Sequence, residues 1–217
     1  MREKKRIATG PVIIGVEGVD YLHLLRLQIM EKPEFSGVQL WDLWDAQYPF
    51  ERGLSQLLKE SAFRLNKVRA LGFIRDAETD RRAIEESLRH HIGTTNLPVP
   101  NGQMTVAKGN MGMPSTGYLI MPHDKPTGCL ENACLGASTL DPQHVACGET
   151  FLHCVSQFHN PPLNENWRAK AKVYALIAGS GKHPAMRLGE SAQAGVWDFN
   201  QPSLKVMLDF ILMMRNS

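Results

Sequence analysis

The chain has 217 residues, 43% of them hydrophobic and 21% charged, proportions that provide for a buried core and exclude intrinsic disorder for most of the chain. Its length suits one enlarged domain or two small ones. Basic residues exceed acidic ones by 24 − 22 = +2, which excludes nucleic-acid binding by bulk charge but leaves room for a local basic groove.

The start, Met1-Arg2-Glu3-Lys4-Lys5-Arg6, is basic like that of a secretory leader. The apolar run behind it, residues 11–16, is short and leads into Glu17 and Asp20 with no small-residue cleavage site. It reads as a first strand at residues 12–16, in a cytoplasmic protein. A helix is expected over 20–30, a second strand over 38–43 and a helix over 50–63 with Leu54, Leu57 and Leu58 on one face. A third strand follows at 67–74, then a charged helix at 79–91 with Ile84 and Leu88 inward. Strand and helix thus alternate three times, the pattern of parallel strands joined by crossover helices. Residues 93–117, with glycines at 93, 102, 109, 112 and 117, read as a loop carrying a short edge strand at 104–107. A fourth strand is expected at 118–121, a turn at 122–128 and a short helix at 129–135. Three more helices, at about 144–158, 165–178 and 203–215, are punctuated by Pro161, Pro162, Pro184 and Pro202. No linker separates domains, and no stretch approaches the ~18 apolar residues of a membrane span. The expected fold is a single α/β domain over 1–217. Its core is a mostly parallel, helix-flanked sheet at about 8–136, followed by a helical extension at about 137–217.

The acids fall where chemistry would sit. Glu17 and Asp20 follow the first strand, and Asp76, Glu78 and Asp80 follow the third. Ligands of open parallel sheets bind outside the carboxyl ends of the strands, so the two clusters would face one crevice. Converging carboxylates are the protein side of a Mg²⁺ site, and such metals serve displacement at phosphorus. The same acids can simply cap the following helices and oppose their dipoles. Arg75, Arg81 and Arg82 flank the second cluster, placed either to clamp a phosphodiester or to pair with Glu85 and Glu86.

Val16-Glu17-Gly18-x-Asp20 after one strand and Asp76-x-Glu78-x-Asp80 after another resemble the Toprim domain shared by topoisomerases, bacterial primases and OLD-type nucleases. The sequence looks most like small stand-alone Toprim-like proteins related to the OLD nucleases. Asp124-Lys125-x-x-Gly128-x-Leu130-Glu131, Lys170-x-Lys172-x-x-Ala175 and Gly189-Glu190-x-Ala192-x-x-Gly195-x-Trp197-Asp198-Phe199 carry that likeness through most of the chain. The resemblance implies a Toprim-like Rossmannoid fold and a Mg²⁺ or Mn²⁺ site. Glu17 would bind metal or act as general acid/base, and Asp76 and Glu78 would be ligands. Asp20 and Glu131 would serve a second metal, with Asp80 compensating for Tyr21, which stands where relatives often carry another acid. Glu78 replaces the usual second aspartate and moves the carboxylate by about one methylene. Gly18, Arg75, Lys125 and Lys170 would lie on the substrate side. A lysine near the metals, Lys172, would serve catalysis, and both Lys170 and Lys172 also read as solvated helix lysines.

Other chemistries fail on spacing. Cys129, Cys134, Cys147 and Cys154 form no CxxC pair, and His144, His153 and His159 complete no zinc pattern, so free thiols are expected. Gly179-Ser180-Gly181-Lys182 lacks the first glycine and the Ser/Thr of a phosphate loop, and no Gly-x-Ser-x-Gly elbow occurs. Trp41, Trp44, Trp167 and Trp197 read as core or interface. The expected function is a divalent-metal-dependent phosphodiester hydrolase acting on nucleic acid. The alternative is a non-hydrolytic module binding nucleic acid, nucleotide or a protein partner.

Overall fold

A computed structural model describes residues 8–30, 32–43, 49–110, 112–159 and 164–217. The basic N-terminus, Trp44, Pro161 and Pro162 lie outside these residues. The sheet has the order β2-β1-β3-β5-β4. Strands β1 (Val12–Val16), β2 (Val38–Asp42), β3 (Ala70–Asp76) and β5 (Ser115–Met121) run parallel, and β4 (Val106–Ala107) is an antiparallel edge. The chain leaves β1 toward one edge to form β2 and returns past it to form β3. The strand order therefore reverses between β1 and β3, and at such a point the loops diverge and open a crevice at the carboxyl edge.

Helices cover both faces, which is why the strands read as continuous apolar runs rather than alternating ones. Ile13, Leu71, Phe73, Tyr118 and Ile120 point to the face covered by α2 (Phe50–Leu58), α3 (Ser61–Arg64) and α4 (Arg81–Thr94). Val12, Ile14, Val16, Ile74, Leu119 and Met121 point to the other. There they meet α1 (Gly18–Met30), α5 (Leu130–Leu135), α7 (Glu165–Gly179), α8 (Leu188–Gln193) and α9 (Pro202–Arg215). The helix α6 (Pro142–Ser156) rests on α7. Among the described residues no helix is long and apolar enough to cross a membrane. All four cysteines are free thiols, two buried and two exposed.

The fold class is as the alternation predicts, and the departures have local causes. The helix expected over 50–63 is broken after Leu58, where Lys59 and Glu60 N–H donate to the Gln56 and Leu57 carbonyls in tight i−3 turns. β5 begins at Ser115 rather than 118, because the small polar residues ahead of Tyr118 are buried in the sheet and Thr116 donates its hydroxyl to the Pro98 carbonyl. The short α8 was not foreseen. It starts with the Glu190 carboxylate accepting from the Arg187 N–H at 2.8 Å.

The helix α9 belongs to the core, lying across β3 and β5. Gly72 and Gly117 permit this: a Cβ on Gly72 would stand 3.1 Å from both Met214 Cγ and Phe210 Cε1 of α9 and 2.7 Å from Ile14 Cδ1 of β1, and one on Gly117 2.5 Å from Met214 Sδ. Gly72→Ala and Gly117→Ala are therefore expected to cost about 1–3 kcal/mol by overpacking. Gly179→Ala, at the end of α7 with open space around its Cβ, should be neutral or stabilise by about 0.5 kcal/mol. Urea unfolding midpoints of the three variants check this ordering.

Candidate active site

The crevice at the β1–β3 switch point is lined by carboxylates. Glu17 directly follows β1 and its N–H donates to the Ile74 carbonyl at 3.1 Å, which continues the parallel ladder and fixes its place beside β3. Glu17 Oε2 accepts the Asp76 N–H at 3.0 Å and lies 3.3 Å from Arg75 Nε. Burial raises the Glu17 carboxyl above its usual range. The Arg75 charge and the Asp76 N–H oppose that shift, and Glu78 adds to it.

Asp76 is the last residue of β3 and is buried. Its Oδ1 accepts the Tyr21 O–H at 2.5 Å and the Leu130 N–H at 2.8 Å, from the first turns of α1 and α5 respectively. Burial pushes its carboxyl well above the ordinary range. The Tyr21 hydrogen bond works against this, and the charges of Glu17, Glu131 and Glu78 reinforce it. Burial and the Asp76 carboxylate likewise drive the Tyr21 phenol well upward, so it stays a donor.

Glu78 sits in the left-handed region at φ 52°. Paired N–H···O bonds with Gly128, at 2.8 and 2.7 Å, stabilise this conformation. Its Oε2 accepts Asn166 Nδ2 at 2.8 Å, which ties α7 to the strand end. Glu131, in the first turn of α5, is also buried. Lys170 on α7 faces the group: partial burial pulls its ammonium down, but Glu131, Cys129, Asp76 and Glu78 outweigh that and hold it above its usual range. Burial, then Glu131, keeps the Cys129 thiol protonated, so it offers neither a nucleophile nor a thiolate ligand.

The structure brings Glu17, Asp76, Glu78, Glu131 and Lys170 together and sends other candidates elsewhere. Asp80 is exposed and caps α4, its Oδ1 accepting the Arg82 and Ala83 N–H groups at 2.9 and 3.2 Å. That is the capping role its position also allowed. Asp20 stays near the group, half-buried on α1 and within electrostatic reach of Cys134 and Tyr174. Lys172 pairs with Glu149 on α6. Arg82 pairs with Glu86 at 3.0 Å, while Arg81 donates to the Pro122 and His123 carbonyls and so shapes the 122–128 turn. Lys125 is exposed on that turn. Gly18 has φ +84° with open space where a Cβ would stand, and its N–H donates to Asp42 Oδ1 at 3.2 Å. Tyr21 and Asn166 hold two of these carboxylates by hydrogen bonds that the sequence alone does not show. Of the tryptophans, Trp197 is core as expected and donates to Ser191 Oγ at 2.8 Å, whereas Trp167 is exposed.

Over residues 11–215 the chain matches the family described as a protein of unknown function (DUF3226). The chain belongs to this family. No curated protein and no solved structure gives a significant match to this DUF3226 chain.

The donor chemistry fits a hard divalent cation: oxygen ligands, a local excess of negative charge, and an Asp76 Oδ2 that no donor reaches among the described residues. Among those residues no group of three or more His, Cys, Asp or Glu side chains is placed to hold a metal ion. Mg²⁺ sites built on one or two carboxylates and several waters need no such group.

The raised Asp76 carboxyl has a sign that can be measured. The native state holds this proton to higher pH than the unfolded chain, so metal-free stability falls as pH rises from the unfolded value of about 4 toward the native one. Asp76→Asn keeps the Oδ1 acceptor and removes the charge. It should raise metal-free stability near neutral pH by on the order of 1 kcal/mol, with the gain vanishing below about pH 4. Thermal melts across pH in EDTA test this, and a variant less stable at neutral pH contradicts it.

Proposed function

We propose that the chain is a divalent-metal-dependent phosphodiester hydrolase acting on nucleic acid, in the cytoplasm, where its free thiols stay reduced. The observation that carries this reading is the gathering of Glu17, Asp76, Glu78 and Glu131, with Lys170 opposite, at the sheet's switch point. The likeness to Toprim domains points the same way, since the acids following β1 and β3 are the ones on which it rests.

In this reading Asp76 and one neighbouring carboxylate, Glu78 or Glu131, would hold Mg²⁺ or Mn²⁺ together with waters. The ion would supply water activation and neutralise charge on the phosphate. Tyr21 and the Leu130 N–H fix Asp76 through Oδ1 and leave Oδ2 without a donor among the described residues. Asn166 fixes Glu78 in the same manner. Glu17 takes the proton of the attacking water. Its raised carboxyl brings it closer to neutral pH than an ordinary glutamate, which suits proton transfer, and Arg75 orients it. Lys170 meets the charge that grows on the phosphate oxygens.

Two observations favour the non-hydrolytic module: among the described residues no group of three or more carboxylates is placed to hold a metal ion, and Glu17 is engaged by Arg75. The two readings separate in one experiment. Labelled single-stranded and duplex DNA and RNA are incubated with the wild type in Mn²⁺, Mg²⁺ or EDTA. Asp76→Asn and Glu17→Gln run alongside. Hydrolysis that needs metal and falls at least 100-fold in both variants supports the hydrolase. A metal-induced rise in Tm without turnover supports the module. Cleavage indifferent to Asp76→Asn overturns the site assignment.

A further inference from the structure

The helix α7 runs along the carboxylates. Asn166 near its start reaches Glu78, Lys170 one turn later faces Glu131 and Asp76, and Tyr174 a further turn on feels Asp20 and Glu131. The same helix exposes two large aromatic side chains, Trp167 at 42% and Tyr174 at 45%. Spacings of three and seven residues put Trp167, Lys170 and Tyr174 in one stripe. The two aromatics stand about 10 Å apart along the axis, with Lys170 on the helix turn between them. His159 stands 5.8 Å from Trp167, ring centre to ring centre, at a tilt of 55°, and flanks the indole. Lys170 and the exposed Arg187 bring two positive charges to Tyr174, on a chain whose net charge is only +2.

From this stripe we infer that α7 is a stacking platform for unpaired nucleic acid. Bases lie on Trp167 and Tyr174, and a backbone phosphate between them meets Lys170. Every base has a π face, so such a platform tolerates sequence, but bases inside a duplex present no face to it. The cation between the aromatics complements the phosphates, and the carboxylates beside it lie where a strand held this way would place its backbone. The inference narrows the substrate class of the proposed hydrolase to single strands, loops and ends. Only the cleavage half of it rests on that reading.

The test is fluorescence anisotropy of labelled oligothymidylate and of a duplex of equal length, at low salt in EDTA. Wild type, Trp167→Ala, Tyr174→Ala and Lys170→Ala are compared. Each aromatic truncation should weaken single-strand binding about tenfold and leave the weaker duplex binding unchanged. Trp167 and Tyr174 are exposed, so the variants should melt as the wild type does. That control separates lost contacts from lost folding, and Tyr174→Phe, which keeps the ring, should restore binding. Equal affinity for single strand and duplex, or aromatic variants that bind as the wild type, overturns the platform. A wild type that binds the single strand but leaves it uncut in Mn²⁺ defeats the hydrolase reading while the platform stands.

Discussion

The site depends on one buried carboxylate. Asp76 ends the central strand β3, and its Oδ1 gathers the Tyr21 hydroxyl from α1 and the Leu130 N–H from α5. Two helices are thereby pinned to one oxygen atom at the end of the central strand. Burying an acid is costly unless it is hydrogen-bonded, and a fully apolar solution was available to a strand otherwise made of Leu71, Phe73 and Ile74. Two donors offset part of that cost, while the neighbouring Glu17, Glu78 and Glu131 add to it. A core built only for stability would not keep four acids within electrostatic reach of one another.

Topology explains why the acids meet. Glu17 and Asp76 are far apart in the chain but sit on adjacent strands whose register pairs Val16 with Ile74. The order 2-1-3-5-4 makes that seam the place where crossovers diverge, so the residues just past it are spared helix packing. The left-handed Glu78 serves the same end. Its paired bonds to Gly128 stitch the β3 exit to the turn after β5, and this holds the start of α5, with Glu131, against the strand end.

Much of this was legible in the sequence, and the illegible part is consistent in kind. Val12–Val16 matches its apolar run, and the acids beyond β1 and β3 mark the crevice edge because position after a strand is a local property. Ser115 and Thr116 were hidden, since small polar residues join a buried strand only when a partner such as the Pro98 carbonyl is supplied from elsewhere. Tyr21 and Asn166 were hidden for the same reason: their carboxylate partners lie 55 and 88 residues away. Lys170 and Lys172 look equivalent in sequence. Only the placement of α6, which brings Glu149 to Lys172, tells them apart.

The C-terminal helices, which look like an extension in sequence, complete the fold and the site by different means. α9 needs Gly72 and Gly117 to lie close on β3 and β5, so its contribution is shape. α7 contributes chemistry: Asn166 orients Glu78, and Lys170 is the cation facing Asp76 and Glu131. Its two large aromatics lie off the buried face of α7, which is filled by Ala169, Val173, Leu176 and Ile177, and Trp167 is flanked by His159. Trp167 and Tyr174 are left about half exposed beside Lys170 and the acids. Their position becomes intelligible when the surface is one on which a flat, negatively linked polymer can rest while its backbone faces the carboxylates.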